Sequence, residues 1–513
     1  MSVLAKFDLS GIQDFIFASN KLTEISGGSQ IVKKTLASDG VLGRMLQPYG
    51  EDAKLQYSGG GNAIVRFKTL EDAQRVSRNL KIWLLQHGRG LRLCSGYCEY
   101  DEKTPAKLVF QTLRQNAERE KQTEQTPRLM GSYSINRLDN LTQAPICINK
   151  EKPYLGMSAQ QRSKREEADQ RYFELKFQLP EHESFIREFQ HFRKEEDKNF
   201  LAIVHIDGNG MGELVKKLTE DSELSMDEAL KKLCQLSGEI NNSYENAFRQ
   251  LIQYVKDRQL KTDHTSPNLV LPIRPIVMDG DDVTFVCDGK YGLEYAEYFI
   301  KHLNDLDPSF DENHLTASAG VAIAKITFPF SRAYAIAEQC CEYAKHEGRL
   351  RDKGQKRASW IDFHLCKSGI TGDLDQTRKQ YFVPYNDRFL SLCFRPWYIP
   401  RQGDSEECRD LAIYELSNFK KLTAEFACSP KVWARSKLKD LHHVMKSGKE
   451  AIGLELEFIR SRYPQDFERL ITLLGGTWDL AVQHYGTSEP SYTTKLFDAL
   501  EFIDFCSWQE VSS

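Results

Sequence analysis

Long apolar runs are what this 513-residue chain most lacks. No span of about 18 residues is apolar enough for a membrane helix, and no charged-then-apolar leader follows Met1. The expectation is a cytoplasmic protein with no membrane contact. Zinc-type cysteine pairs are missing too: the 12 cysteines contain no CxxC, which argues against a zinc ribbon. They sit mostly within apolar patterns, as Cys287, Cys340 and Cys341 do. Cys94 and Cys98, four apart on an expected strand, read as a reduced buried pair rather than a metal site. There is no basic surplus either. With 69 Lys+Arg against 73 Asp+Glu the net charge is −4, which argues against a surface built to coat nucleic acid and leaves room for local basic patches. Hydrophobic residues at 40% and charged residues at 28% fit a globular protein of roughly three domains.

What is present is organised around Pro275–Val286. An apolar run enters Asp279-Gly280-Asp281-Asp282, and Val283-Thr284-Phe285-Val286 leaves it. The pattern predicts a β-hairpin turning at Asp279-Gly280, with Asp281 and Asp282 opening the second strand. Neighbours on a strand point to opposite faces, so one carboxylate can face an ion while the other braces the turn or takes a second ion. An ordinary Asp-Gly turn with solvated acids fits the same residues. The weight comes from upstream, where Ala202-Ile203-Val204-His205-Ile206-Asp207 reads as a buried strand ending in an acid. Gly208-Asn209-Gly210-Met211-Gly212 then opens a long helical pattern. Carboxylates at a strand end and on a hairpin supply the oxygen ligands that Mg²⁺ or Mn²⁺ prefers. A glycine-rich strand-to-helix turn lets backbone N–H groups approach phosphate. Strand acid, glycine turn, helix and acidic hairpin together describe a two-metal nucleotidyl-transfer palm.

The order of elements repeats. Leu4–Ser10 is a first strand, Gly27-Gly28-Ser29 opens a helix, and two strands flank Gly59-Gly60-Gly61-Asn62. A helix over Leu70–His87, a strand over Leu91–Tyr100 and a charged helix over Ala106–Lys121 follow. Residues 199–365 run through the same series, ending in the strand Leu315–Ala324 and the helix Phe330–His346. Asp8 then corresponds to Asp207, and the Gly59–Asn62 turn to Asp279–Asp282. The predicted fold is α/β (α+β): a first ferredoxin-like palm over 1–142 without hairpin acids, a charged linker or helical insert over 143–198, a second, catalytic palm over 199–365, and an α-helical C-terminal domain over 366–513. In the linker, Arg162-Ser163-Lys164-Arg165-Glu166-Glu167 reads as a solvated helix face, with RNA contact as the sharper alternative. His442-His443 lacks a nearby Cys or acid set at ligand spacing and reads as structural or surface.

These residues resemble the large, polymerase-like subunit of type III CRISPR effector complexes, which belongs with the GGDEF cyclases and palm-type polymerases. Asp8-Leu9-Ser10-Gly11-Ile12-Gln13-Asp14-Phe15-Ile16-Phe17 with Gly27-Gly28-Ser29 is similar to the signature of that family's first palm. Ser58-Gly59-Gly60-Gly61-Asn62 is similar to its hairpin, and Asp207–Gly212 to the metal and phosphate turn of the second palm. Gly280-Asp281-Asp282 matches the last three positions of the family's Gly-Gly-Asp-Asp, and Ser318-Ala319-Gly320-Val321, Pro329-Phe330, Ala337-Glu338 and Ala344-Lys345 resemble its closing strand and helix. Three departures stand out. The first glycine of the hairpin motif is Asp279 here; no His-Asp dipeptide of an HD nuclease occurs; and Cys147 stands alone where the family carries a zinc-binding set. The expectation is an HD-nuclease-less form.

The resemblance implies a nucleotidyltransferase that converts ATP into cyclic oligoadenylate second messengers in antiviral defence. Asp207, Asp281 and Asp282 are the expected ligands of two Mg²⁺ or Mn²⁺ ions, and Gly208–Gly212 with Gly280 the expected triphosphate cradle. Lys345 is a candidate phosphate contact and Ser318 a candidate base-pocket residue. Ser58, Gly59, Gly60, Gly61 and Asn62 are placed at an acceptor nucleotide. The partners to expect are ATP or another nucleoside triphosphate, with CRISPR effector subunits and guide RNA or a second copy of the chain also open. Two rivals stay open: a cyclase making a cyclic dinucleotide or mononucleotide, and a scaffold subunit silenced by Asp279.

Overall fold

The computed structural model describes residues 2–101, 103–123, 146–147, 157–158, 161, 164–165, 168–169, 171–192, 199–220, 224–262, 268–305, 315–353, 358–366, 373–385, 387, 389–401, 409–428, 433–482 and 491–507. Strand β1 (Ser2–Ser10), the hairpin β2 (Ala53–Gly59) and β3 (Asn62–Phe67), and β4 (Arg92–Tyr100) form an antiparallel sheet of order β2-β3-β1-β4. Helices α1 (Ile12–Phe17) and α2 (Leu22–Leu36) follow β1, α3 (Leu70–His87) joins the hairpin to β4, and α4 (Ala106–Thr123) follows β4. The series then recurs. Strand β5 (Phe200–Gly208), the hairpin β6 (Ile273–Asp279) and β7 (Asp282–Asp288), and β8 (Ala317–Lys325) stand in the same order, and β9 (Ser359–Cys366) and β10 (Trp397–Ile399) extend the sheet to β6-β7-β5-β8-β9-β10. The helices are α5 (Met211–Thr219), α6 (Met226–Thr262), α7 (Gly292–Asp305) and α8 (Phe330–Arg351).

The duplication extends to irregularities. Each hairpin carries a register shift at the same place, between Leu55 and Tyr57 in one and between Pro275 and Val277 in the other. Pro275 has no N–H to donate, and it sits in an edge strand beside that bulge, where a proline is tolerated. Asp8 lies opposite Asn62, and Asp207 opposite Asp282, so the two strand-end acids are equivalent in register. Strand β5 is central and buried on both faces, which is why its sequence is near-continuously apolar. One of its faces packs on α6 and α7. The other packs with α8 against the core of the first unit, so Ile203, Val286 and Tyr334 share a cluster with Phe7, Phe17 and Val65. Helix α6 reaches across as well, placing Ala229, Leu230 and Leu233 against Leu4, Ile64 and Leu113.

Four expectations need correction. The second hairpin turns at Gly280-Asp281, because Asp279 pairs with Asp282; Asp281 is therefore a turn residue and only Asp282 begins the strand. Gly280 has φ +62, and a positive φ at the first loop residue of a two-residue hairpin is what glycine accepts freely. Helix α2 begins at Leu22, not at Gly27. Its glycines lie inside the helix, where the carbonyl oxygen of Lys164 would stand 1.8 Å from a Cβ on Gly27. The run expected to be a solvated face thus has a buried member. Lys164 is 1% exposed, its Nζ donates to the Phe15 carbonyl, and Arg165 pairs with Glu24 at 2.8 Å. Arg162, Ser163, Glu166 and Glu167 lie outside the described residues, as does most of 143–163.

The C-terminal part is also not purely helical. Helices at Leu416–Cys428, Arg435–Val444, Lys449–Arg462, Pro464–Leu474 and Leu496–Phe502 dominate it. Yet β10 joins the palm sheet beside β9, and Leu390–Ser391, Ser491–Thr493 and Leu480–Val482 form a small sheet. Strands of two or three residues are too short for alternation to register in sequence. The core is continuous across the expected boundary at 366, with Trp397, Phe419, Leu441 and Phe502 in one cluster with Val204, Phe248 and Phe285.

Candidate active site

The site is built on one end of the second sheet. Strand pairing sets Asp282, Asp207 and Ser318 side by side in a row across β7, β5 and β8. One row of a sheet faces one way, so the Asp207 and Asp282 carboxylates share the α8 side. There Lys345, near the end of α8, donates its Nζ to Asp207 Oδ2 and, at 2.9 Å, to the Gly208 carbonyl. Asp281 approaches the same strand end from the turn. A Cβ on Gly208 would lie 2.9 Å from the Asp281 Cβ and 2.8 Å from the Met211 Cγ, so only glycine lets the turn come this close.

Acidity is concentrated here without matching positive charge. Burial, and next the Asp207 carboxylate, push Asp281 up to about 6. Burial, then Asp207 and Asp281, push Asp282 well above the usual carboxylate range. His205 stands 3.5 Å from Asp282 Oδ1, but burial pushes its imidazole down to about 4, so it is neutral and bonds Thr284 Oγ1 at 3.1 Å instead. Asp282 Oδ1 is left buried without a hydrogen-bond partner. On α6, burial and then Asp281 raise Tyr244 well above its ordinary value, so it is a neutral hydroxyl. Among the described residues no three His, Cys, Asp or Glu side chains converge closely enough to enclose a metal ion, and Lys345 is the cation beside Asp207. The donor set nevertheless suits a hard divalent cation: three carboxylates, two of them hard to ionise, and one orphaned oxygen.

A cleft of about 440 Å³ opens beside the acidic turn, and the first unit supplies its opposite wall. Tyr57, Ser58, Gly59 and Gly60 of the first hairpin face Asp279, Gly280 and Asp281 of the second, and Met211 of α5 and Ser237, Ile240 and Asn241 of α6 complete the lining. Gly61, Asn62, Gly210 and Gly212 do not line this cleft, and the Ser58 hydroxyl is already bonded. Gly61 packs against Ile12, whose Cδ1 would stand 2.5 Å from a Cβ there. Asn62 turns back to donate to the Gly60 carbonyl at 3.0 Å, and Ser58 donates to the Leu36 carbonyl at 2.8 Å. Gly210 caps α5, and a Cβ on Gly212 would meet nothing within 4 Å. The Ser318 and Asn209 side chains are engaged within the fold. Ser318 is fully buried and donates to Asn209 Oδ1 at 3.0 Å, while Asn209 Nδ2 donates to the Ala358 carbonyl at 3.0 Å. Both are committed to holding the strand ends together.

Reading along the chain missed the contribution of α6 and of Tyr57. Burial raises Tyr57 above its ordinary pKa, and Asp279 and Asp281 add to this. The available signal was the spacing of Ser237, Asn241 and Tyr244, which puts three polar groups on one stripe of a helix.

Residues 200–353 match the model of the family described as Cas10/Cmr2, second palm domain. No curated protein matches the sequence. Among solved structures, a Csm1-Csm4 cassette in complex with cA4 aligns over 98% of this chain and 70% of that chain, with a TM-score of 0.51 and 13% identity. The cassette in complex with pppApApA gives 0.52 at 13% identity, and in complex with cA3 0.52 at 12%, each over 98% of this chain and 69% of that one. At such identity the likeness establishes the shared fold.

Proposed function

We propose, on the premise that residues 200–353 form a second palm domain of the Cas10/Cmr2 type, that the chain is a metal-dependent nucleotidyltransferase joining ATP into cyclic oligoadenylates. One observation carries the reading. Asp207 and Asp282 stand side by side at the strand ends, and Asp281 approaches from the turn, in the wall of a cleft whose far wall is the glycine hairpin of the first palm. A cleft walled by two palms has room for a donor triphosphate on one side and an acceptor on the other. The cA3, cA4 and pppApApA ligands of the Csm1-Csm4 cassettes that share this fold favour adenylates over other nucleotides.

Asp207, Asp281 and Asp282 would hold Mg²⁺ or Mn²⁺, with Asp282 Oδ1 the oxygen still lacking a partner. The bound ions would supply charge neutralisation at the triphosphate and lower the pKa of an attacking ribose hydroxyl. The remaining work belongs to the chain itself. Lys345 sets its ammonium at the strand end and can pass from Asp207 to a phosphate oxygen. The first turn of α5, with open space at Gly212, offers backbone N–H groups to the triphosphate. Met211 and α6 wall the cleft and limit water. Asp279, in the cleft wall, adds charge that an entering triphosphate must meet. Assembly with type III effector subunits and guide RNA belongs to the same proposal.

The test is incubation with each nucleoside triphosphate plus Mg²⁺ or Mn²⁺, with products read by mass. Cyclic oligoadenylates from ATP, lost in Asp281→Ala/Asp282→Ala, are the expected result. Cyclic dinucleotides would replace the product assignment. Absence of any turnover, together with copurifying RNA, would replace the enzyme by a scaffold.

A further inference from the structure

Tyr244 follows Ser237 and Asn241 along the stripe of α6 that meets the cleft. Its side chain is 1% exposed and packs against Phe299, with ring centroids 5.9 Å apart. The hydroxyl at its tip is buried and has no hydrogen-bond partner. Buried hydroxyls in folded proteins nearly always have one, so an orphan at the edge of a reactive site calls for a reason. The hydroxyl points at the end of β5: a Cβ on Gly208 would stand 2.9 Å from Tyr244 Oη, and equally 2.9 Å from the Asp281 Cβ. Tyrosine hydroxyl and aspartate therefore converge on the space that Gly208 leaves empty. Asp281 sits in a two-residue turn, where its side chain can swing without disturbing the strand pairing.

We propose that Tyr244 is a positioning residue, whose O–H donates to the Asp281 carboxylate when that group turns to hold a divalent cation. The hydroxyl fixes one rotamer of Asp281 and satisfies the carboxylate oxygen that does not face the ion, as outer groups around metal ligands commonly do. The proposal rests on the nucleotidyl-transfer reading above, and it names a residue outside the acidic motif on which cation binding depends.

The experiment is Tyr244→Phe, which removes one oxygen and keeps the packed ring. Thermal melts in chelator and across a Mn²⁺ titration are compared with turnover of ATP. An unpartnered buried hydroxyl contributes nothing to the cation-free fold, so the variant should melt in chelator at or above the wild-type temperature. Its Mn²⁺ half-saturation, from melts and from turnover alike, should rise about 10- to 100-fold. In an Asp281→Asn background the same substitution should no longer change Mn²⁺ binding, since the coupling runs through Asp281. A wild type that turns over ATP beside a Phe variant with unchanged half-saturation overturns the role of Tyr244 and leaves the enzyme reading standing. A wild type without turnover, whose Mn²⁺-induced stabilisation is nevertheless lost in the variant, overturns the enzyme reading and leaves Tyr244. No Mn²⁺-induced stabilisation in the wild type, or a variant that melts well below it in chelator, overturns the proposal itself.

Discussion

Asp281 is pushed from 3.8 up to about 6 by burial and by Asp207, so the folded chain holds that proton more tightly than the unfolded chain does. For a raised carboxyl the contribution to stability is most favourable below the unfolded value, declines as pH rises from about 4 to about 6, and is lost in full above that. At pH 8 in chelator, Asp281→Asn should therefore stabilise the protein by about 1–2 kcal/mol, well short of the full shift because water screens a half-buried group. The same substitution should abolish product formation and weaken cation-induced stabilisation, with Asp207 and Asp282 left as donors. Thermal melts of the two proteins at pH 5 and pH 8 check the sign: the gain should shrink towards the acid side. A variant less stable than the wild type at pH 8 would mean that the Asp281 charge is already well compensated.

The two hairpins show how one element can be used twice. Gly60 and Gly61 both have positive φ, 59 and 72, the pattern of a two-residue turn that favours Asn-Gly. They differ in surroundings. A Cβ on Gly61 would collide with Ile12, whereas Gly60 has nothing within 4 Å of that point. Gly61→Ala should cost about 1–2 kcal/mol from the left-handed backbone alone, plus the clash. Gly60→Asn suits the turn and should change stability by less than about 0.5 kcal/mol, while placing a side chain in the cleft opposite Gly280. If the first hairpin holds an acceptor nucleotide, this variant should bind one triphosphate normally yet form far less joined product. Undiminished product from the folded Gly60→Asn protein would reduce the first hairpin to packing.

At the scale of the molecule, the C-terminal helices are wired into the palm sheet. Arg395 is fully buried, pairs with Asp498 at 3.0 Å and with Glu501 at 2.6 Å, and donates to the carbonyl of Phe363 in β9 at 2.6 Å. Removing one partner of a buried charge cluster strands the others. Arg395→Leu should cost about 3–5 kcal/mol, and more at pH 8 than at pH 5, because Asp498, already raised to about 6 by burial, can then shed its charge only by taking a proton. Since the core runs from β5 to Phe502 without a break, chemical denaturation should show one transition, shifted as a whole. An early separate transition confined to the C-terminal helices would show that they fold apart from the palm.

The sequence by itself determined the tandem α/β plan. Strand and helix periods differ sharply, and an apolar run broken by Asp207-Gly208 or by Gly280-Asp281-Asp282 marks an element end whatever surrounds it. What it could not determine depended on neighbours far along the chain. Lys164 reads as a solvated charge, and only the glycine face of α2 makes it a buried one; Ser318 reads as a small residue in a buried strand, and only the docking of Asn209 supplies its hydrogen-bond partner. The hairpin turn moved by one residue because the register of β6 on β7 is set by pairing across the sheet, which local composition does not encode. The meeting of the two hairpins across one cleft, and of Tyr244 with Asp281 beneath Gly208, exists only once α6 and the shared core bring the two palms together. Side-chain chemistry is written locally, but the direction in which a side chain points is fixed by long-range packing.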